Sequence, residues 1–324
     1  MIHCAICFHN TGQFHQAAYV TLLSCFANTR SALHVHMVVD DSVKPHHALF
    51  EELCAAHGHR LTIHPAPPVP DSILSLFHDG CVGKYTAASL YRLCLHELID
   101  ADKVIYFDCD IVFERDIADL DAIDVAGAWM AAAHDPERIW SMHKRGYYLK
   151  RLGIAENRYF NSGVLVLNLK KLREASRSSP DGNVFWTYYR ELAARHPDLP
   201  YVIYDQDMLN AMLSNDHERL ILVDASYNYE LCLLKRRCLP LDALRGKILH
   251  FPALKPWQKF FPVHMAYWKY FARTPWGGET CERIAERMFD PKDTRMRMLM
   301  DIWRTPGPFR WLWTLLKYTP LLRG

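Results

Sequence analysis

The sequence predicts an α/β fold: a mainly parallel sheet flanked by helices, with a helical C-terminal tail. Three observations carry the expectation. Strand-like and helix-like segments alternate along the first third of the chain. The strand-like runs are apolar enough to be covered on both faces. A pair of aspartates, Asp108 and Asp110, follows one of these runs, at the strand end where such sheets bind ligands.

Ile2–Phe8 reads as a buried strand, and Phe14–Phe26 as a helix with apolar positions three and four apart. Leu33–Val39 is a second strand ending at Asp40 and Asp41, Lys44–His57 a second helix closed by Gly58, and Arg60–His64 a third strand. The prolines of residues 65–70 exclude helix and central strand and leave a loop. Thr86 caps a helix reaching about Ile99, its apolar period set by Ala87, Leu90, Leu93 and Leu98. Lys103–Phe107 is a strand that runs into Asp108-Cys109-Asp110. Farther on, Val125–Ala133 and Phe160–Leu169 read as buried strands, the latter opening on Asn161-Ser162-Gly163. Residues 176–182 form a polar loop, Val184–Arg195 and Asp207–Leu213 are helical, and Leu220–Val223 and Lys247–Phe251 are extended. No internal repeat or long linker divides residues 1–270, and residues 271–324 differ in composition as a helical, basic and aromatic tail.

With 324 residues, 50% apolar and 23% charged, the chain is neither disordered nor of low complexity. A net charge of +2 speaks against wholesale nucleic-acid binding, so any basic function is local. The longest apolar run, Val125–Ala133, falls far short of the roughly 18–20 residues of a membrane span. The opening Met1-Ile2-His3-Cys4 lacks the basic region of a signal peptide, so a cytoplasmic location is expected. The ten cysteines are scattered. Cys4 and Cys7 lie on opposite faces of a strand, which favours buried small hydrophobes over a zinc or redox pair.

Two carboxylates at i and i+2 in extended backbone project to one side and can share a hard cation. Asp-x-Asp occurs at 100/102, 108/110, 119/121 and 205/207, but only 108/110 follows a continuous apolar strand and precedes further apolar residues. Partly desolvated there, the two negative charges favour a divalent neutraliser, the alternative being solvated loop carboxylates.

The segment Val104-Ile-Tyr-Phe-Asp-Cys-Asp-Ile-Val-Phe113 resembles the metal-binding stretch of family 8 glycosyltransferases, retaining GT-A enzymes that use nucleotide-diphosphate sugars and Mn²⁺. Tyr91-Arg92-Leu93, the strand from Tyr159 to Leu169, the Asp205-Gln206-Asp207 segment and His250-Phe251 with Lys255-Pro256-Trp257 are similar to further family motifs, in the same order. The resemblance covers about residues 2–260 and looks closest to bacterial lipopolysaccharide or lipooligosaccharide sugar transferases. It implies a GT-A catalytic domain at 1–270 and transfer of galactose or glucose from a UDP-sugar to a saccharide or glycolipid acceptor. It implies Mn²⁺, or Mg²⁺, on Asp108, Asp110 and His250. Donor contacts are implied for His9, Asn10, Arg92, Asp108, Cys109, Asn161, Gly163, Ala253 and Lys255, with Asp205 and Gln206 at the donor sugar as catalytic residues.

The residues themselves read compatibly. A borderline cation such as Mn²⁺ accepts an imidazole beside two carboxylates. Lys255 can reach a diphosphate oxygen or be solvated; Arg92, among apolar neighbours, implies an anionic ligand or an internal ion pair; Asp205 can hold sugar hydroxyls or cap a helix. The Asn161–Gly163 stretch suits close backbone approach to a sugar. Two departures stand out. The first strand runs into Phe8-His9-Asn10-Thr11-Gly12 instead of an acidic pair, leaving the base contact to His9 or Asn10, and Ala253 replaces the usual glycine. The rival readings are a haloacid-dehalogenase-like phosphatase, which shares an apolar strand before Asp-x-Asp, and a nucleotide-sugar-binding protein without turnover.

From Ile302 onward the charged residues are Arg304, Arg310, Lys317 and Arg323, interleaved with Trp303, Phe309, Trp311, Trp313 and Tyr318. Arg310, Thr314 and Lys317 recur on one helical face, a pattern that suits the surface of an anionic bilayer and a peripheral place on the inner membrane's cytoplasmic face, or docking on the protein's own core. Deleting residues 303–324 is expected to abolish sedimentation with anionic liposomes; unchanged sedimentation rejects the membrane reading.

Overall fold

The structure is a computed structural model that describes residues 1–75, 87–135, 150–154, 156–197, 204–231, 241–252, 255–258 and 264–278. Strands β1 (Ile2–Phe8), β2 (Leu33–Val39), β3 (Arg60–Pro65) and β4 (Lys103–Phe107) lie parallel in the order β3-β2-β1-β4. A three-residue strand β5 (Ile111–Phe113) follows β4, then β6 (Met130–His134), β7 (Phe160–Asn168) and β8 (Leu220–Val223). β7 joins β4 antiparallel, β6 joins β7 antiparallel, and β8 runs parallel to β6 at the far edge. Of the seven strands only β7 opposes the rest.

Side chains alternate between the two faces of each strand, and both faces are apolar because both are covered. On one face Ala5, Cys7, Val104, Tyr106, Leu165 and Leu167 pack under Leu90, Leu93, Phe185 and Tyr189. On the other Cys4, Ile6, Met37, Ile105, Phe107 and Val166 pack under Leu22, Phe26 and Phe50. Cys4 and Cys7 thus part to opposite faces, as their spacing requires. The six cysteines among the described residues are free and buried, and burial pushes the thiols of Cys4, Cys7 and Cys94 well up, so they stay protonated.

A smaller sheet forms the functional end. β10 (Ile248–His250) pairs antiparallel with β5 and parallel with β9 (Tyr229–Glu230), which brings His250 opposite Ile111. The helix Met265–Phe271 packs behind this sheet through Ala266, Tyr267 and Tyr270 against Val112, Leu249 and Phe251.

Four expected elements differ in detail. The apolar stretch 125–133 is not all strand: Ala128 N–H donates to Val125 O at 3.0 Å, Asn168 Nδ2 donates to the same oxygen at 2.8 Å, and only Met130–His134 is extended. The helix expected to end at Ile99 breaks into Ala88–Tyr91, a 3₁₀ turn over Arg92–Cys94, and Leu95–Leu98; at the break Arg92 Nε takes the Ser89 carbonyl at 2.9 Å, a bond that competes with the helical ladder. Its expected cap, Thr86, lies outside the described residues. Pro65 ends β3 opposite Val39, tolerated because β3 is an edge strand. The helix expected from Asp207 begins at Tyr204, which places Asp205 and Gln206 inside its first turn. Among the described residues no helix is long and apolar enough to cross a membrane.

His96 is buried on the Leu95–Leu98 helix with Nε2 at 2.9 Å from Ser176 Oγ. Burial, then the charge of Arg173, lowers its pKa from 6.5 to about 4. The unfolded chain therefore takes up a proton near pH 6.5 that the folded chain refuses until about pH 4. The stability margin tied to this histidine is complete above pH 6.5 and shrinks as pH falls through that window, by about 1.4 kcal/mol per unit. Urea unfolding of wild type and His96→Gln should show their stability difference changing between pH 7.5 and 5; a difference independent of pH would contradict this account.

Candidate functional site

β7's reversed direction assembles the site. Because it opposes β4, its first residues lie beside β4's last: Phe107 pairs with Val164, and Asp108 N–H donates to Gly163 O at 2.8 Å. The Asp108-Cys109-Asp110 turn then leads into β5, whose partner β10 delivers His250. Thr21, fully buried on the helix Phe14–Ala27, pins this turn with Oγ1 2.8 Å from both Cys109 O and Ile111 O.

His250 Nε2 stands 3.5 Å from Asp110 Oδ1 and 3.8 Å from Asp108 Oδ2. The other carboxylate oxygens are engaged elsewhere. Asp108 Oδ1 accepts from Arg92 Nη2 at 2.9 Å and from the Tyr106 hydroxyl, and Asp110 Oδ2 pairs with the Lys255 ammonium. His250 Nδ1 lies 2.9 Å from Asn228 Oδ1, while Asn228 Nδ2 donates to Asn161 Oδ1 at 2.9 Å. Asn161 Oδ1 also accepts the Gly163 N–H at 2.8 Å, and Asn161 Nδ2 donates to Glu230. This chain sets every amide, so Asn228 presents an acceptor and His250 donates from Nδ1. Nε2 is then the ring nitrogen that faces the two carboxylate oxygens. The three ligand atoms lie within 4.8 Å of one another, a donor set of two oxygens and one nitrogen that fits a divalent cation.

Charges around the set are shared. Burial raises the Asp110 carboxyl, but Lys255 and His250 override it and hold it well below the usual carboxylate range. Burial likewise opposes the charge on Arg92, yet Asp108 and Asp205 hold the guanidinium firmly ionised. Arg92 also donates from Nη1 to Ser162 O at 2.7 Å and reaches Asp205 Oδ2 from Nε at 3.3 Å, so it is an internal cation that ties together β4, β7 and the helix Tyr204–Leu213. Burial, eased by Arg92, leaves the Asp205 carboxyl above its ordinary value.

Gln206 is buried, its Oε1 accepting from Ser162 N at 3.1 Å and its Nε2 donating to the Tyr159 hydroxyl at 2.9 Å. Gly163 is there because nothing larger fits: a Cβ would lie 2.3 Å from His250 Cε1. The buried Cys109 thiol faces the apolar core, pushed up by burial. His9 and Asn10 follow β1 at the same end of the sheet; His9 Nε2 lies 2.7 Å from Thr11 Oγ1, and the Asn10 amide is held between His15 at 2.7 Å and His46 at 3.1 Å. Ala253 lies outside the described residues. Thr21, Tyr106, Ser162, Asn228 and Glu230 are site residues that the sequence reading missed; their signal is partnership across the fold, which no local spacing carries.

A mostly parallel sheet with an acid pair at the end of its central strand, closed by a small mixed three-stranded sheet, defines the class: the GT-A fold. It is matched by the solved structure of galactosyltransferase LgtC in complex with donor and acceptor sugar analogs, with a TM-score of 0.63, 20% identity, and coverage of 85% of this chain and 96% of that one. Residues 5–260 match the model of glycosyl transferase family 8, and the chain belongs to that family. The phosphatase alternative falls with that match. Among curated relatives, general stress protein A of Bacillus subtilis (strain 168) is 27% identical over 209 residues, covering 59% of this chain and 67% of its own. Lipopolysaccharide 1,2-glucosyltransferase of Escherichia coli (strain K12) is 24% identical over 210 residues, covering 60% of this chain and 57% of its own length.

Asn228→Ala should free the His250 ring and weaken divalent-cation binding by about 10–100-fold, read from the Mn²⁺ electron-spin-resonance signal of the full chain. An unchanged affinity in a folded variant would remove Asn228 from the positioning chain.

Proposed function

We propose that the chain is a retaining, metal-dependent hexosyltransferase that moves galactose or glucose from a UDP-sugar to a saccharide acceptor, the core of lipopolysaccharide or lipooligosaccharide. The observation that carries this reading is the convergence of Asp108 Oδ2, Asp110 Oδ1 and His250 Nε2 with the Lys255 ammonium beside them. Family membership and the name of the E. coli relative support it. Mn²⁺, or Mg²⁺ in its place, bound there supplies Lewis-acid stabilisation of the negative charge that builds on the departing nucleoside diphosphate.

The protein's part is placement. Arg92 pairs with Asp108 and Lys255 with Asp110 through the oxygens that do not face His250. Lys255, on leaving Asp110, offers its ammonium to a diphosphate oxygen. The side-chain-free Gly163 and the Asn161 amide line the approach of the sugar. Asp205 and Gln206, locked to Ser162 through Arg92, Ser162 N and Tyr159, serve the donor sugar and its anomeric centre. A second amide clamped in this way suits front-face attack by the acceptor better than a nucleophilic side chain, which must be free to move. His9 and Asn10 serve the base. The basic, aromatic tail supports a peripheral site on the cytoplasmic face of the inner membrane, where lipid-linked acceptors are met.

Incubation of the full chain with Mn²⁺ and a panel of nucleotide sugars should release free sugar from one donor, with the α-anomer retained on an acceptor. Chelation should stop turnover and Mn²⁺ restore it, and Asp110→Asn should lower the rate by about 10²–10³-fold. Binding of a donor without any turnover would identify a nucleotide-sugar-binding protein instead, and near-wild-type turnover in Asp110→Asn would reject the assigned cation site.

A further inference from the structure

A second group of metal-ligating side chains stands at the other end of the same sheet. His3 on β1, His34 and His36 on β2 and His64 on β3 project from one face, because His3 pairs in register with His34, and His36 and His64 fall at alternate positions. His3 Nδ1 lies 3.0 Å from His36 Nε2, and His36 Nδ1 lies 3.0 Å from His64 Nε2. The ring centroids of His34 and His36 lie 4.1 Å apart with the rings tilted by 31°, and His34 Nε2 is 2.8 Å from Thr62 Oγ1. His34 and His36 are buried and His3 half-buried. A ligand nitrogen from each of His3, His34 and His36 lies within 4.8 Å of the others. The cluster is separate from the carboxylate site: His3 precedes Phe8, at the functional end of β1, by five residues, roughly 16 Å of strand.

We propose that His3, His34 and His36 form an all-imidazole binding site for a divalent ion of the zinc class, with His64 orienting His36 from behind. Four neighbouring imidazoles on a sheet face are a poor choice for packing, where β-branched residues fit better. They are a good choice for a borderline cation, which prefers neutral nitrogen donors. Burial, then neighbouring positive charge, pushes the pKa of His36 down to about 3 and those of His3 and His34 below their ordinary value, so the rings are neutral and keep their lone pairs. The 3.0 Å between His3 Nδ1 and His36 Nε2 is close to the edge of about 3.3 Å that a tetrahedral site with bonds of about 2.05 Å requires. Entry of the ion needs no net loss of protons. His36 keeps Nδ1–H on His64 and presents Nε2, while His3 moves its proton from Nδ1 to Nε2 and presents Nδ1. The charges that act on the cluster are the N-terminal ammonium beside His3, Arg60 across from His34 on β3, and Asp121, which is itself paired with Lys103 at 3.0 Å. Oxygen-poor as it is, the site discriminates against Mg²⁺, which the carboxylate site accepts.

The test uses the full chain, stripped of metal, with Asp110→Asn to disable the other site. Calorimetric titration with Zn²⁺ should show one equivalent bound in Asp110→Asn, lost or weakened by roughly 100-fold or more when His36→Gln is added. Co²⁺ in place of Zn²⁺ should give the visible bands of a tetrahedral nitrogen site in Asp110→Asn and none in the double variant. His3→Gln, at a half-buried position, should likewise abolish the rise in melting temperature that Zn²⁺ confers. Zn²⁺ stoichiometry and cobalt spectrum unaffected by both His36→Gln and His3→Gln would overturn the proposal, and neither readout depends on sugar transfer.

Discussion

Two carboxylates are drawn into the end of a sheet whose strands are otherwise apolar, and their desolvated charge conditions everything around them. Asp110 is almost wholly buried, at 3% exposure, and Asp108 is held by a buried arginine. Uncompensated, two such charges a few ångströms apart would drive one another to protonate. Arg92 and Lys255 prevent that by taking one oxygen from each acid, which leaves the remaining oxygens directed at His250.

The single reversed strand makes that arrangement possible. In a wholly parallel sheet the start of β7 would lie at the opposite edge from the end of β4, and Asn161, Ser162 and Gly163 could not reach the aspartates. Reversal brings an amide, a hydroxyl and a side-chain-free backbone to the acid pair, and the Tyr204–Leu213 helix then docks Asp205 and Gln206 onto them. The positions are interlocked: Gly163 leaves room for the His250 ring, Asn161 orders Asn228, and Asn228 orders His250. A change at any of these moves a ligand atom without touching it.

Much of this was legible in the residues. Strands such as Lys103–Phe107 and Leu33–Val39, rich in β-branched and aromatic residues and free of glycine and proline, emerged with their expected bounds because nothing local competes with them. The acid pair and His250, far apart in sequence, lie together in the fold. What escaped were features settled by contact across the fold. The 125–133 run bends because a side chain from β7 takes a carbonyl, and the helix through Arg92 changes pitch where its guanidinium turns back on Ser89. Thr21, 88 residues from Cys109, and Asn228, 22 from His250, have no sequence signature at all, since an isolated Thr in a helix or Asn in a turn is ordinary. Periodicity finds elements; it cannot find the polar atom that fastens one element to another.

The two clusters at opposite ends of β1 and β2 differ in kind, and the difference follows from what each end of the sheet must do. Where the chain leaves β4, a turn supplies two carboxylates, joined by His250 at the end of β10 and by Lys255 beyond it, a mixed set that favours hard and borderline ions. Where β1 and β2 begin, the donors are imidazoles seated on the strands themselves, backed by His64 and Thr62 on the third strand. Ligands rigidly mounted on paired strands have little freedom to admit a substrate, and neutral nitrogen donors do not compete for Mg²⁺. Such a site can only tie β1 to β2, with the exposed edge strand β3 joined to it through His64. Separation by donor chemistry would allow one sheet to hold an exchangeable ion at its reactive end and a fixed one at its base.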